Sequence, residues 1–586
     1  MKQLFLFRSI GDKEKSASIH PSECIINLDH IESIRCGESE KISLEKEFIN
    51  FVGALGQRNQ SIYWWASALS EKNSLVSHFF IRIYKILFFE QEINRREKEN
   101  IIVICSDQVI LQQIYDNYKN IFVVHYPLSQ RIRFFVDGFV RQIKGVLKQI
   151  FFCIKEYRQV VFARWKLRKK NKTFLFNNQP MVVIRTWVDQ RNYQSGKFKD
   201  SYFKNLVEYF NEKKNNVLIF AGILDDYKRN LMCFSKDQEF NIIPVNFFLK
   251  GWEIIYCLFI VLFFRPNLYK PVLFRDIDIT ILTQSELNRD IEHVDFLYAC
   301  LQFFCCYRLV KNIQCERFIY TFENYSWEKM SIQGLRTASD KIKTVGFQHA
   351  FISRNSFKYF PGKGEGKVIP LPDTIATLGQ ITPEIMQRYG HYPKSIFSPA
   401  CALRQDYIFK LRQLVRNNDG NIFVPLTITV EDTLKVLNFL IEAGLNKYDK
   451  NIYLRFHPVT PLNKVLRQFT HQWPANFIIS DTPSMEEELR RCSVVLYTWT
   501  TVCLEAIKMG RPVIYIDVNY PLEVDPLFEI RSFKNVCNNP HELISRIEDF
   551  LNLEEEAYKR QLDEAQDYVN QYLSSVTKES YNAFAL

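Results

Sequence analysis

At 586 residues the chain has room for roughly two to four domains. Hydrophobic residues make up 47% and aromatics 15%, which supplies a large core and excludes a disordered chain. The net charge of +11 suits nucleic acid, anionic lipid or a phosphorylated substrate. With no helix-turn-helix, zinc-finger or RNA-binding signature, nucleic acid is the weakest of these and is not expected as a partner.

The chain opens on Met1-Lys2-Gln3-Leu4-Phe5-Leu6-Phe7-Arg8, whose apolar part is too short for a signal peptide. The longest apolar run, Ile254 to Phe264, has 11 residues, below the roughly 20 that span a bilayer. The 14 cysteines form no C-x-x-C pair and no Cys/His cluster with zinc spacing. Cys105, Cys153, Cys257, Cys300, Cys305 and Cys306 sit in apolar runs, which reads as buried thiols in a reducing compartment. The expectation is a cytoplasmic chain, with a peripheral position on the inner face of a membrane as an open alternative.

Short apolar runs alternate with amphipathic segments. The first series of predicted strands is Ile101–Cys105, Ile121–His125, Met181–Trp187, Val217–Ala221, Ile279–Leu282, Arg317–Phe322 and Lys343–Gln348. A second series follows: Thr374–Leu378, Ile422–Pro425, Ile452–Phe456, Phe477–Ser480, Val494–Tyr497 and Val513–Ile516. Helical patterns lie between most of them, so the fold class is α/β with doubly wound parallel sheets. Ligands of such sheets bind beyond the carboxyl ends of the strands.

The segment Phe134 to Lys170 breaks the alternation. Its apolar residues fall at helical spacing, and from Arg131 to Lys172 there are 13 Lys/Arg against two acids, Asp137 and Glu156. A basic amphipathic helix of this kind can lie on an anionic membrane; it is equally the pattern of a long surface helix packed on a sheet. The stretch Gly362–Gly366 reads as a loop; it lacks the G-K-[ST] ending of a phosphate loop. A lobe boundary is expected near 385–410, dividing 1–395 from 396–586, and Pro540–Leu573 reads as a polar helix.

Four stretches end strands with chemistry-bearing side chains. In Arg455-Phe456-His457-Pro458, proline stops the strand and leaves His457 at its carboxyl end, where an imidazole can donate to a phosphate. A backbone carbonyl can equally satisfy such a histidine. In Thr498-Trp499-Thr500-Thr501, hydroxyls and free N–H groups at a helix start form an anion site, or Thr500 or Thr501 serves only as an N-cap. Glu505, about a turn further on, reads as a contact to a ribose hydroxyl or a surface ion pair. His349 ends the strand Lys343–Gln348, and Glu323 ends Arg317–Phe322; an imidazole or carboxylate there suits proton transfer. Ser326 is expected to cap the following helix, with Glu328 and Lys329 in its first turn. Asp276-Ile277-Asp278 has D-x-D spacing, but it is a two-residue match, and no metal or other cofactor is expected.

Arg455-Phe456-His457-Pro458, Thr498-Trp499-Thr500-Thr501 and Glu505-Ala506 resemble the C-terminal lobe of bacterial GT-B glycosyltransferases of capsule and surface-polysaccharide synthesis, including capsular Kdo transferases and bacterial sialyltransferases. The CDP-glycerol polyol-phosphate transferases share a similar layout, with histidines matching His349 and His457. Glu323-Asn324, Trp327-Glu328-Lys329 and Gly346-Phe347-Gln348-His349 also look like surface-carbohydrate biosynthesis proteins. The resemblance covers about 315 to 520.

It implies a GT-B-like pair of Rossmann-type lobes facing a cleft: 1–395 on the acceptor side, with the basic helix inserted, and 396–586 on the nucleotide-sugar side. With these strand-end positions it makes Glu323 or His349 the base on the acceptor hydroxyl, and puts His457, Thr498, Thr500 and Thr501 on the donor phosphate, Arg455 as a helper there and Glu505 on the ribose. The implied donor is a nucleotide-sugar, CMP-sugar favoured, and the implied acceptor a glycan or lipid-linked glycan. Transfer of a polyol phosphate from a CDP-alcohol and a non-catalytic scaffold of a polysaccharide assembly complex are the alternatives. The sequence departs from the pattern in its Thr-Thr pair preceded by Trp499, and in Thr498 where many retaining enzymes carry an acid. The departure leaves the anomeric outcome open.

Overall fold

The computed structural model describes residues 3–9, 24–29, 38–59, 61–95, 100–174, 179–193, 196–482, 484–518, 522 and 524–585. Met1, Lys2 and Cys36 lie outside the described residues, as do the side chains of 169–174, which include the last lysines of the basic run.

Three parallel sheets follow one another along the chain. The first has four strands, β1 (Gln3–Phe7), β2 (Cys24–Asn27), β3 (Ile101–Ile104) and β4 (Val123–His125), in the order β2-β3-β1-β4. The predicted strands supply only β3 and β4 of this sheet. A 47-residue helix, α1 (Leu128–Phe174), then leads to the second sheet. It is longer at both ends than predicted and spans about 70 Å.

Gln149 fastens α1 by donating to the carbonyls of Ile291 and His293 (3.1 and 2.6 Å), and Arg164 by donating to those of Phe247 and Leu249 (3.0 and 2.8 Å). Its own Val160, Ala163 and Leu167 are buried on the inner face, whereas Phe135, Phe139 and Phe151 stand more than 60% exposed.

The second sheet has seven strands: β5 (Met181–Val188), β6 (Asn216–Ile223), β7 (Ile242–Pro244), β10 (Cys315–Thr321), β11 (Lys343–Phe347), β12 (Thr374–Thr377) and β13 (Phe397–Pro399). Between β7 and β10 come α2 (Gly251–Phe263), a small antiparallel hairpin of β8 (Leu273–Phe274) and β9 (Ile277–Asp278), α3 (Thr280–Glu292) and α4 (Asp295–Asn312). After β10 comes α5 (Ser326–Ala338).

The strand predicted at Ile279–Leu282 is instead the start of α3. Asp278 Oδ1 accepts from Thr280 N (2.8 Å), and Gln113 Oε1 accepts from Ile281 N and Leu282 N (2.8 and 3.1 Å), so the free N–H groups of a helix start are satisfied. A four-residue stretch such as Ile-Thr-Ile-Leu carries too little periodicity to separate strand from helix. α4 and α5 pack backbone to backbone: a Cβ on Gly334 would stand 2.1 Å from the carbonyl oxygen of Phe303.

The third sheet has six strands, β14 (Ile422–Pro425), β15 (Ile452–Arg455), β16 (Phe477–Ile479), β17 (Val494–Tyr497), β18 (Val513–Ile516) and β19 (Lys534–Cys537), in the order β16-β15-β14-β17-β18-β19. Two of its helices are α6 (Val430–Glu442) and α7 (Val502–Lys508). Strands β14, β17 and β18 are buried along their whole length, as expected of a parallel sheet covered on both faces.

The predicted polar helix at Pro540–Leu573 is two helices, α8 (Leu543–Leu551) and α9 (Glu555–Tyr572). The end of the chain returns to the second sheet. Gln380 N donates to Gln571 O (2.7 Å), Ser574 N to Leu378 O (2.8 Å) and Arg317 to Phe584 O (3.0 Å).

Candidate active site

The strand order of each large sheet reverses once. The second runs β13-β12-β11-β10-β5-β6-β7 and turns between β5 and β10; the third turns between β14 and β17. In an open α/β sheet the loops leaving the carboxyl ends at this point diverge and leave a crevice for ligand. The loop after β10 holds Glu323, and the loop after β17 holds Thr498 to Thr501.

The Glu323 loop is held from below. Glu328, buried in the first turn of α5, accepts from Glu323 N (3.0 Å) and Asn324 N (2.7 Å). Asn324 adopts a left-handed φ of +62° and donates its amide to Lys358 O (2.6 Å). Tyr325, not Ser326, occupies the cap position; Ser326 is the first helical residue, and its N–H goes to Glu71 (3.0 Å). Lys329 donates to Ser70 O (2.8 Å), and burial presses its ammonium down to about 8.

Glu323 and His349 come together: Glu323 Oε1 lies 3.3 Å from His349 Nε2. Lys358 joins them, its Nζ 2.5 Å from Glu323 Oε2 and 2.6 Å from the Tyr325 hydroxyl. Burial would raise the Glu323 pKa, but the Lys358 charge and the His349 hydrogen bond outweigh it and bring it to about 2. On its other side, His349 Nδ1 lies 3.3 Å from a guanidinium nitrogen of Arg404. A carboxylate only accepts and a guanidinium only donates, so Nε2 carries the proton and Nδ1 the lone pair.

The depressed carboxyl has a consequence for acid stability. Glu323 ordinarily titrates at 4.5, and its folded value is about 2, so its contribution is complete above 4.5 and lost as pH falls through about 2. In Glu323→Gln, the fall in unfolding free energy between pH 4.5 and pH 2 becomes shallower than in the parent, as urea titrations at stepped pH will show.

On the third sheet, His457 follows β15, and its Nδ1 accepts from Val459 N (3.2 Å), which leaves Nε2 as donor. Strands β15 and β17 flank β14, so His457 and Thr498 are two strand spacings apart, about 10 Å. Thr498 is buried and Thr501 exposed; Thr500 Oγ1 accepts from Val502 N (3.3 Å), at the start of α7. Arg455 turns from the crevice to the loop after β16, donating to Thr482 O (3.1 Å) and Ser484 O (3.4 Å). Burial raises the Glu505 pKa, opposed by the hydrogen bond from Tyr407 (2.8 Å) and by the Arg455 charge.

Three residues of this arrangement escaped the sequence. Lys358 lies in a single 3-10 turn, Phe357–Tyr359, without strand or motif around it. Arg404 and Tyr407 sit in the segment between the two large sheets. They contact His349, just after β11, and Glu505, in α7, so this segment touches both large lobes.

No protein-family model matches the chain, and no curated protein matches it. Among solved structures it is similar to a glycosyltransferase from Rickettsia africae ESF-5, at 11% identity over 70% of this chain and 99% of that one, with a TM-score of 0.37. It is similar to MurG of Acinetobacter baumannii at 10% identity, over 70% and 98%, with a TM-score of 0.37. It is also similar to the UDP-GlcNAc 2-epimerase of Methanocaldococcus jannaschii at 10% identity, over 67% and 100%, with a TM-score of 0.36. Likenesses this distant carry no residue correspondence.

Proposed function

We propose that this chain is a GT-B-type glycosyltransferase, which moves a sugar from a nucleotide-activated donor to a hydroxyl of a surface glycan or lipid-linked glycan. One observation carries the reading. Arg404 and Tyr407, three positions apart, touch His349 and Glu505, so one short segment borders the ends of both large sheets. A transfer between two substrates needs two such half-sites in register.

In this reading Glu323 holds His349 with Nδ1 as the proton acceptor, because a carboxylate at about 2 is a weak base but a good anchor for an imidazolium. The acceptor hydroxyl replaces Arg404 at Nδ1, and Arg404 turns to the donor phosphate. His457 Nε2 and the Thr500-Thr501 helix start meet the leaving phosphate across the roughly 10 Å gap. Thr498 shapes that pocket, Glu505 with Tyr407 borders the ribose, and Arg455 supports the neighbouring loop. The His-Pro and Thr-Thr stretches favour a CMP-sugar.

A screen of CMP-, UDP-, GDP- and dTDP-sugars with purified protein will show release of one nucleotide, and EDTA will leave the rate within about twofold, since side chains take the place of a cation. Release of none, with lipid-linked acceptor present, sinks the proposal. Phosphate label from a CDP-alcohol appearing in product supports the polyol-phosphate alternative. Unchanged cellular function of His457→Ala and Glu323→Gln supports the scaffold.

The same proposal places α1 on an anionic membrane. Among the described residues, no helix is long and apolar enough to cross a membrane. The exposed Phe135 and Phe139 and the basic side chains along α1 suit interfacial binding instead. Sedimentation with anionic vesicles will capture the protein, neutral vesicles will not, and Phe135→Asp/Phe139→Asp will abolish capture.

A further inference from the structure

Two hollows beside the β5–β10 crevice have no part in the chemistry above. One is a cavity of about 430 Å³ next to Tyr325, whose hydroxyl lies 2.6 Å from Lys358 Nζ and so adjoins the Glu323 pair. Its walls mix carboxylates, among them Glu286, Asp290 and Asp295, with the rings of Trp187, Trp327 and Tyr298. Glu286 is 1% exposed; Arg289 Nε stands 3.5 Å from its Oε1, with the Ser77 side chain beside it, and burial still raises its pKa. A buried carboxylate with partners this loose gains from a further hydroxyl brought to it.

The second hollow is an open groove of about 1100 Å³ between α1 and the loop after β6. Along it α1 presents Ile154, Tyr157, Val161 and Trp165, each at least 50% exposed, and Leu224 faces them at 55%. Trp187 and Tyr298 line both hollows, so the apolar groove and the polar cavity meet at one wall. The groove also lies on the helix whose earlier turns carry the exposed Phe135 and Phe139.

We infer that these two hollows together bind one amphiphile, with a hydroxyl-rich head against Glu286, Asp290 and Trp187 and a single long apolar chain laid along Ile154, Val161 and Trp165. Carboxylates that accept from hydroxyls, set beside indole faces that cover the apolar side of a sugar ring, suit a carbohydrate head. An aliphatic chain covers the exposed α1 residues that water now meets. As acceptor of the proposed transfer, this glycolipid-like molecule rests on the transferase reading; as a bound ligand it does not.

Calorimetry with the full chain and alkyl maltosides of increasing chain length, kept below their micelle concentrations, tests it. Affinity is expected to rise up to about fourfold per methylene, while free maltose binds weakly. Ile154→Asp/Val161→Asp will cost at least about tenfold. Glu286→Gln will narrow the preference for the maltoside over the matching alcohol. Phe135→Asp/Phe139→Asp, on the same helix outside the groove, will leave maltoside affinity unchanged. Chain-length-independent binding, or equal binding by the Ile154→Asp/Val161→Asp variant, overturns the inference. Nucleotide affinity, measured on the same samples, reports on the fold of each variant and on the donor site. Retained nucleotide binding without maltoside binding sinks the amphiphile site alone, and the reverse sinks the transferase reading alone.

Discussion

Glu323→Gln is expected to lower turnover by about 10² to 10⁴-fold with little change in donor affinity, since the group serves proton transfer and not donor binding. Glutamine keeps the size of the side chain and one acceptor oxygen. It loses the charge that offsets Lys358 and that would stabilise an imidazolium at His349. The same change leaves the Lys358 ammonium, 5% exposed, without its counter-ion, so some loss of stability will accompany the loss of rate. Glu323→Gln/Lys358→Met separates the two: melting temperature returns toward the parent value and turnover does not. Nucleotide release timed on parent, single and double variants, beside thermal melts, gives the answer. Turnover within about threefold of the parent in the single variant would remove Glu323 from the mechanism.

The second large effect concerns stability. Lys72 and Glu365 pair at 2.7 Å with both side chains fully buried, and Glu365 also accepts from Gly362 N (2.7 Å). The pair joins a turn near the start of the chain to the loop after β11. Removing one partner strands a charge in a low-dielectric interior, so Lys72→Met or Glu365→Gln alone will cost about 3–5 kcal/mol. The double variant will recover most of that, because each loss is the cost of an orphaned charge and not the worth of the pair. Urea unfolding of the four proteins completes the cycle; single variants within about 1 kcal/mol of the parent would show that water reaches the site.

Strand-end residues were legible in the sequence because a strand announces itself locally. Ile422–Pro425, Val494–Tyr497 and Val513–Ile516 coincide with β14, β17 and β18 to the residue. The resulting frame placed Glu323, His349, His457 and Thr498 at carboxyl ends. Lys358, Arg404 and Tyr407 were invisible because their positions depend on turns and on a segment between sheets, where neither a period of two nor of 3.6 operates. Arg455 was expected at the donor phosphate, but its guanidinium goes to the carbonyls of the loop after β16, a partnership set by tertiary packing. The first sheet went half unread: β1 lies in the opening stretch that was weighed only as a signal peptide, and Cys24–Asn27 is an edge strand with one buried residue.

The return of the chain end to the second sheet gives the two large lobes a second covalent crossing, at Tyr572 to Ser574, beside the one at 400 to 421. One connection alone is a ball joint, about which a lobe can swing and twist freely. Two connections define a line, and motion reduces to rotation about it, as a door turns on two pins. Arg404 and Tyr407 lie beside one of those pins, so any rotation about that line would load their contacts first. Cutting the chain after Tyr572 removes one pin and exchanges a single-axis closure for a loose tether.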